Sequence, residues 1–130
     1  MIDRIDHLVL TTSHAERCID FYVRVLRMTL ERFRSGTPPV DRMAFRFGWQ
    51  KINLHVKGAE FEPRAHLPVP GSIDVCLIAD CPLEKVIEHL HTVQWPIIEG
   101  PVQRTGASGP IRSIYLRDPD LNLIEISEYL

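Results

Sequence analysis

The sequence predicts an α+β fold built from two β-α-β-β-β modules, and two observations lead to this prediction. One is an apolar helical stripe that recurs after 68 residues (83 − 15 = 68), pairing Ala15, Cys18, Ile19 and Tyr22 with Leu83, Val86, Ile87 and Leu90. The other is that strand-like runs of alternating apolar residues precede and follow each stripe. We therefore expect eight strands in two mixed sheets, with one helix behind each sheet.

The first module is predicted to span residues 1–57. Its apolar periodicity predicts, in order, a strand at 5–12, a helix at 15–26, a strand at 28–34, a turn at 35–39 and strands at 43–48 and 50–56. Ser13 is the expected N-cap of the helix. In the first strand, His7 and Val9 are expected to share one face, because side chains alternate along a strand.

The second module is predicted to span residues 72–130, after an ordered crossover at 58–71 that is rich in Gly and Pro. Its expected elements are a strand at 72–78, a helix at 83–92, a short strand at 96–98, a Gly-rich loop that includes Arg104, and strands at 111–117 and 121–127. The chain is thus expected to form one domain of 130 residues.

Composition excludes several classes of partner. The net charge of −2 and the pI near 6.3 give no electrostatic reason to expect nucleic acid or an anionic membrane. No apolar run approaches the ~18 residues of a membrane span, and the acidic N-terminus does not resemble a signal peptide. Three cysteines cannot all pair within one chain, so reduced thiols and a cytoplasmic location are expected.

Four residues of the type that binds metals begin or end strand-like runs. His7 begins and His55 ends such runs in the first module, and Asp74 and Glu125 do so in the second. An imidazole or carboxylate inside an apolar strand needs a partner once it is buried, and a divalent cation is one such partner. A backbone hydrogen bond for each His, or a neighbouring Arg for Asp74, is the alternative.

The segments HLVL, CIDFYVRVLRM, NLHV and SIYLRDPDLNLIEI together resemble the vicinal oxygen chelate superfamily, which includes glyoxalase I, bleomycin-resistance proteins and extradiol dioxygenases. The stretch from FGWQKINLH to IRSIYLRDPD looks closest to the group called glyoxalase domain-containing protein 5. The resemblance implies a single glyoxalase-like domain with a half-open barrel, which binds one divalent metal through His7, His55, Asp74 and Glu125. It also implies a homodimer.

The chain departs from the superfamily pattern at three positions. Arg27 and Leu121 stand where the family usually has Gly, at turns where Gly eases a positive φ. Asp74 stands where glyoxalase I typically has His. The first two departures bear on local geometry, whereas the third bears on the metal and the mechanism.

The function that the resemblance implies is a glyoxalase-like lyase or isomerase acting on a small, oxygen-rich substrate. Two His and two carboxylates suit Zn²⁺, Ni²⁺, Mn²⁺ or Fe²⁺, and the reaction would pass through a metal-bound enediolate or alkoxide, with Glu125 as the base. Arg46 and Arg104 are candidates for binding a substrate carboxylate or phosphate.

Two alternatives remain open at this point. An extradiol-type Fe(II) dioxygenase would use His7, His55 and Glu125 without Asp74. A binding protein that sequesters a small molecule, as bleomycin-resistance proteins do, would need no catalysis. The metal content of the purified protein distinguishes this last hypothesis, the sequestering protein, from the metal enzymes.

Overall fold

The structure, a computed structural model, describes residues 1–130 and divides into two compact units. Unit 1 is Met1–Ser72 and unit 2 is Ile73–Leu130. The boundary coincides within one residue with the predicted start of the second module, and the crossover at 58–71 belongs to unit 1. The interpretation of the whole chain as a single domain stays a prediction.

Unit 1 contains a four-stranded mixed sheet. Its elements are β1 (His7–Thr12), α1 (Ala15–Asp20), a π-helical turn (Phe21–Val25), β2 (Thr29–Ser35), β3 (Val40–Phe47) and β4 (Gln50–Val56). The strand order is β1-β4-β3-β2, with β1 parallel to β4 and the other pairs antiparallel.

Unit 2 repeats this topology. Its elements are β5 (Asp74–Ile78), α2 (Leu83–Thr92), β6 (Glu99–Gly106), β7 (Gly109–Arg117) and β8 (Leu123–Tyr129). The order is β5-β8-β7-β6, and β5 is parallel to β8. Two helices and two four-stranded mixed sheets confirm the predicted α+β fold class. No helix is long and apolar enough to cross a membrane.

The first helix differs from the prediction in its winding. It begins at Ala15 as expected, but after Asp20 it continues as a π-helical turn, in which the Leu26 amide donates to the Phe21 carbonyl at 2.9 Å. The turn buries Tyr22, whose ring stacks on Phe45 of β3 with centroids 4.9 Å apart. The predicted N-cap Ser13 is wrong, because His14 occupies the N-cap position and makes no side-chain capping bond.

Two predictions in unit 2 are also wrong. Residues 96–98 form no strand, and β6 begins only at Glu99. The expected Gly-rich loop is a β-hairpin: Arg104 and Gly106 lie in β6, and Gly106 pairs with Gly109 at the tip. The glycines favoured a loop in the sequence, whereas in the structure they end two paired strands on either side of a two-residue turn.

The two departures from the family's glycines are confirmed as positive-φ positions. Arg27 has φ 59° and Leu121 has φ 68°. A left-handed backbone is costly for a residue with a Cβ, so the surrounding structure must hold the backbone at both positions in this conformation.

A buried carboxylate fixes the connection between β7 and β8. Asp118 is 2% exposed, and its Oδ1 accepts the amides of Asp120 (2.9 Å) and Asn122 (3.0 Å). The Asn122 amide group donates to Asp118 Oδ2 at 2.8 Å, while Asn122 Oδ1 accepts the Ile73 amide at 2.9 Å. This network ties the start of β8 to the residue preceding β5.

Candidate functional site

Unit 2 contains a cavity of about 400 Å³ on the sheet face opposite α2. Alternation along the strands places Cys76 and Ile78 of β5 on this face, together with Glu125 of β8 and Tyr115 of β7. The lining comprises Cys76, Ile78, Arg104, Thr105, Gly106, Ala107, Ile111, Tyr115, Glu125 and Tyr129.

Glu125 lies in the lining of this cavity with protic side chains around it. Its register partners are Cys76 in β5 and Tyr115 in β7, so both are direct cross-strand neighbours. The buried Ser127 hydroxyl donates to Glu125 Oε1 over 3.4 Å and hydrogen-bonds Ser113 at 2.7 Å. Hydroxyl donors orient a carboxylate while leaving its second oxygen available to a ligand.

The Cys76 thiol belongs to the same group of side chains. Its Sγ lies 3.3 Å from Ser127 Oγ. Burial of the thiol raises the pKa of Cys76, the hydrogen bond with Ser127 lowers it, and the charge of Glu125 raises it further. The thiol is therefore held in its neutral form, which disfavours a role as a nucleophile.

Arg104 and Tyr115 form the polar wall of the cavity. Arg104 Nε donates to the Tyr115 hydroxyl oxygen at 3.0 Å, and Arg104 Nη2 donates to Glu99 at 3.0 Å. Burial raises the pKa of Tyr115, Arg104 lowers it, and Glu125 raises it. Because guanidinium only donates, the phenol accepts from Arg104 and keeps its own hydrogen for Glu125 or a ligand.

Asp74, the other predicted ligand in unit 2, is one same-face position from Glu125. Asp74 pairs with Leu123, whereas Glu125 pairs with Cys76, so the two carboxylates are offset by two residues, roughly 7 Å along the strands. This offset is compatible with one ion held between them. Asp74 is exposed and takes part in no ion pair, so the alternative of a neighbouring Arg does not describe it.

The two histidines of unit 1 lie on one face of the sheet but at different heights. His7 pairs with Lys51, whereas His55 pairs with Thr11 at the other end of the same strand pair. Four residues correspond to roughly 13 Å along a strand, so the two imidazoles do not meet. His7 is exposed, and its Nδ1 lies 2.7 Å from Asp6 Oδ1.

His55 is 5% exposed and packs against the crossover. The centroids of the His55 and Phe61 rings lie 5.4 Å apart. The guanidinium carbon of Arg42 lies 4.3 Å from the centroid of the same Phe61 ring. Burial lowers the pKa of His55, the charge of Arg42 lowers it further, and Glu60 raises it. A neutral imidazole results, which is the form that binds metals.

The strand registers correct the matching of the two modules. His7 and Asp74 both begin a strand, and counting from them, Glu125 of unit 2 corresponds to Asn53 of unit 1. His55 instead corresponds to Ser127. The sequence argument that His55 and Glu125 occupy matching points is therefore wrong by two residues.

Asn53 carries a buried side-chain oxygen without a partner. Asn53 Oδ1 makes no hydrogen bond in the structure, which is unusual for a buried polar atom and needs an explanation. A cation or a ligand hydroxyl would satisfy it, because an amide oxygen is a hard donor.

The donor chemistry partly fits a divalent ion. Neither unit by itself contains three or more His, Cys, Asp or Glu side chains grouped so as to hold a metal. The pair of Asp74 and Glu125 fits one ion by its offset, whereas His7 and His55 do not fit a common ion. The amide oxygen of Asn53 is two residues from the register position of His7 and on the same face, so it fits better beside His7.

The two predicted anion-binding arginines have different surroundings. Arg104 lines the cavity, as described above. Arg46 is half exposed and forms an ion pair with Glu31 on the neighbouring strand β2. Arg46 lies on the same strand face as Ala44, and its charge already has a partner.

Sequence reasoning missed four residues of these sites: Tyr115, Cys76, Ser127 and Asn53. Each lies on the same strand face as a predicted ligand, and period-2 counting from Glu125 or His55 would have found Ser127 and Asn53. Tyr115 needed the register of β7 against β8, which no local pattern states.

A comparison with protein families identifies the chain. The family described as the glyoxalase/bleomycin resistance protein/dioxygenase superfamily matches residues 4–126. The chain is a member of this superfamily. The predicted resemblance to the vicinal oxygen chelate group is confirmed at that level. Superfamily members bind small molecules, often hold a divalent metal and often form dimers.

Two relatives resemble this superfamily member along most of its length. Virulence protein STM3117 of Salmonella typhimurium is 51% identical over 130 residues, covering 100% of this chain and 87% of the relative. Its crystal structure matches with a TM-score of 0.93 and covers 100% of this chain and 99% of that chain. Glyoxalase domain-containing protein RDO1 of Mycosarcoma maydis is 50% identical over 125 residues, covering 96% of this chain and 68% of the relative.

Two more distant structures share the fold and differ in what their names state. Lactoylglutathione lyase from Agrobacterium tumefaciens is 19% identical, with a TM-score of 0.71, and covers 98% of this chain and 95% of that chain. The antibiotic binding protein TnmS3 from Streptomyces is also 19% identical, with a TM-score of 0.74, and covers 99% of this chain and 98% of that chain. The superfamily fold therefore accommodates both a lyase and a binding protein.

Proposed function

We propose that this protein is a divalent-metal-dependent lyase or isomerase of the glyoxalase type that acts on a small, oxygen-rich substrate. The observation that carries the proposal is the position of Glu125. Its carboxylate lies in a cavity of about 400 Å³, beside the hydroxyl of Tyr115 and the thiol of Cys76. A cavity of this size suits a substrate of a few to about a dozen heavy atoms.

Glu125 is proposed as the base that removes a proton from the carbon next to a carbonyl. The hydrogen bond from Ser127 orients the carboxylate, and the apolar side chains of Ile78 and Ile111 limit water in the cavity. Tyr115 donates its hydroxyl hydrogen toward the substrate oxygen that gains charge, because Arg104 occupies the acceptor side of the phenol.

The family resemblance implies His7, His55, Asp74 and Glu125 as metal ligands, but the four-residue separation of His7 and His55 in the register disfavours one ion bound by both. The strand registers support Asn53 in place of His55, since Asn53 corresponds to Glu125 and its Oδ1 lacks a partner. When bound, the metal supplies Lewis-acid stabilisation of negative charge on substrate oxygens. Zn²⁺, Ni²⁺, Mn²⁺ and Fe²⁺ all accept such a donor set.

Arg104 is the proposed contact for an anionic group of the substrate inside the cavity. Glu99 and the Gln103 carbonyl hold the guanidinium in place, and the remaining N–H groups of Nη1 and Nη2 can donate to a carboxylate in the cavity. Homodimerisation, a cytoplasmic location and placement in the glyoxalase domain-containing protein 5 group are further proposals, which rest on the family resemblance and on the cysteine usage.

Elemental analysis of the dialysed protein and of single variants tests the proposal. We expect about one divalent ion per chain in the wild type and in the control Asp80→Ala, which changes an exposed carboxylate outside the strand face. His7→Ala and Glu125→Gln should lose the ion. Loss in Asn53→Ala with retention in His55→Ala would establish the ligand set that the register favours, and the reverse result would support the set first predicted.

Other outcomes of the same measurement favour the competing functions. Retention of iron in Asp74→Ala, with loss in His7→Ala, would indicate three ligands and favour the extradiol-type dioxygenase. Absence of metal under every reconstitution condition would contradict the enzyme proposal and leave a binding protein for small molecules.

A further inference from the structure

The unit 1 sheet face that carries His7 has an excess of positive charge. Alternation and register place three cations on this face, Arg42 and Arg46 of β3 and Lys51 of β4, against one carboxylate, Glu31 of β2. The formal charge of these four side chains is +2 (3 − 1 = 2). In the crossover, Arg64 pairs with two carboxylates, those of Glu60 and Glu62.

Three residues of this face form a row across the sheet. His7 pairs with Lys51, and Lys51 pairs with Arg46 on its other side. Cationic side chains directly opposite each other are unfavourable unless an anion lies close by. The two outer members have one: His7 contacts Asp6, and Arg46 forms an ion pair with Glu31.

Lys51 is the exception in the row. It takes part in none of the ion pairs of unit 1. Its ammonium lies over the ring of Phe33, whose centroid is 4.2 Å from Lys51 Nζ, and its charge lowers the pKa of the nearby Asp6 after the larger effect of the His7 hydrogen bond. A ring face attracts an ammonium but accepts none of its hydrogen bonds in the way an oxygen does, so donors remain for a ligand.

We infer that Lys51, held over Phe33 and flanked by His7 and Arg46, forms a binding site for an oxyanion, the carboxylate or phosphate group of a small ligand. The ammonium supplies the charge-assisted hydrogen bonds, while the charge of the neighbouring Arg46 is paired with Glu31. Phe33 keeps the lysine stem on the sheet face. The site lies wholly within unit 1 and requires no contribution from the Glu125 cavity.

The test compares anion binding to the wild type, Lys51→Met, Lys51→Arg and the control Lys57→Met by calorimetric titration. Sodium phosphate and sodium malonate serve as separate probes, and sodium chloride keeps the ionic strength constant. Lys57 is an exposed lysine beyond the end of β4, so its substitution removes the same charge six residues from Lys51 (57 − 51 = 6). We expect Lys51→Met to weaken binding at least about tenfold, because a charged hydrogen bond is lost.

Lys57→Met and the charge-conserving Lys51→Arg should bind within about threefold of the wild type. A loss confined to phosphate assigns the site to phosphate groups, a loss confined to malonate assigns it to carboxylates, and a loss of both supports a general oxyanion site. Equal binding by Lys51→Met and Lys57→Met, or binding of neither probe by the wild type, would overturn the inference. Lys51→Arg also shows that a loss in Lys51→Met does not come from misfolding.

Discussion

The two units use one sheet topology for two different surfaces. On the face away from the helix, unit 1 carries Lys51, Arg42 and Arg46 against Glu31, whereas unit 2 carries Asp74, Glu99 and Glu125 against Arg104 and Arg117. The formal charges are +2 and −1 (2 − 3 = −1). Strand pairing therefore fixes the same backbone arrangement in both units. The chemistry of the face is set by every second side chain of each strand, and these side chains differ between the units.

The connections between the last two strands differ as well. In unit 1, β3 and β4 are joined by the two-residue turn Gly48–Trp49, with Trp49 97% exposed. In unit 2, β7 and β8 are joined by residues 118–122, which are organised around the buried Asp118. The longer loop fixes the start of β8, two residues before Glu125. The hydrogen bonds of this loop therefore hold the backbone next to the proposed base.

The largest predicted effect tests the difference between these two connections by a substitution in each of them. Asn122→Ala removes the donor to Asp118 Oδ2 and the acceptor of the Ile73 amide, which leaves buried polar groups unpaired. We expect the free energy of unfolding to fall by about 3 kcal/mol. Trp49→Ala, in the corresponding turn of unit 1, should change it by less than about 0.5 kcal/mol. Urea denaturation measures both, and equal effects would contradict the proposed difference.

A smaller effect concerns the pH dependence of unit 1. Burial lowers the pKa of His55 in the folded chain below that of an unfolded histidine, so the unfolded chain binds more protons as the pH falls through about 6.5. The stability that His55 contributes is present above that pH and is lost below it. His55→Gln should flatten the dependence between pH 7.5 and pH 5, measured by urea midpoints in chelator-treated protein.

The control for this prediction is the exposed histidine of the crossover. His66→Gln, at an exposed position of the crossover, should leave the pH dependence of the wild type unchanged. A dependence that is lost in His66→Gln and kept in His55→Gln would contradict the assignment.

The smallest predicted effect is an increase in stability at the two positive-φ turns. Arg27 in unit 1 and Leu121 in unit 2 both adopt the left-handed conformation that glycine adopts without strain. Leu121→Gly, at an exposed position, should raise the free energy of unfolding by up to about 1 kcal/mol. Arg24→Gly in the π-helical turn is the matched control and should lower it. A lower free energy of unfolding in Leu121→Gly would contradict the prediction and show that packing of the Leu121 side chain outweighs the backbone strain.

Much of this fold was predictable because each module follows simple periodicities. The helix at 83–92 and the strand at 50–56 agree with the structure at both ends, since a period of 3.6 or 2 is local information. The strand predicted at 96–98 is absent because only Ile98 bonds to β7, through its amide to the Tyr115 carbonyl, and regular pairing begins at Glu99. The prediction of a loop where the structure has the Gly106–Gly109 hairpin was wrong because glycine favours both loops and tight turns.

The candidate site was only partly predictable, because strand parity and strand register are different kinds of information. Parity placed His7 and Val9 on one face, and the structure agrees. Register depends on hydrogen bonding between distant strands, so the matching of His55 with Glu125 was wrong by two residues and Asn53 was overlooked. The partnership of Tyr115 with Arg104 likewise depends on how β6 pairs with β7.

Hydrogen–deuterium exchange at carbon tests the central claim, that Glu125 in the unit 2 cavity is a base, most directly. The metal-loaded protein is incubated in deuterium oxide with small 2-oxo aldehydes, hydroxy ketones and 2-hydroxy acids, and proton NMR follows loss of the hydrogen next to the carbonyl. We predict exchange with at least one compound in the wild type and in Asp80→Asn, and a rate at least about 100-fold lower in Glu125→Gln. Undiminished exchange in Glu125→Gln, or none in the wild type with any compound, would contradict the account.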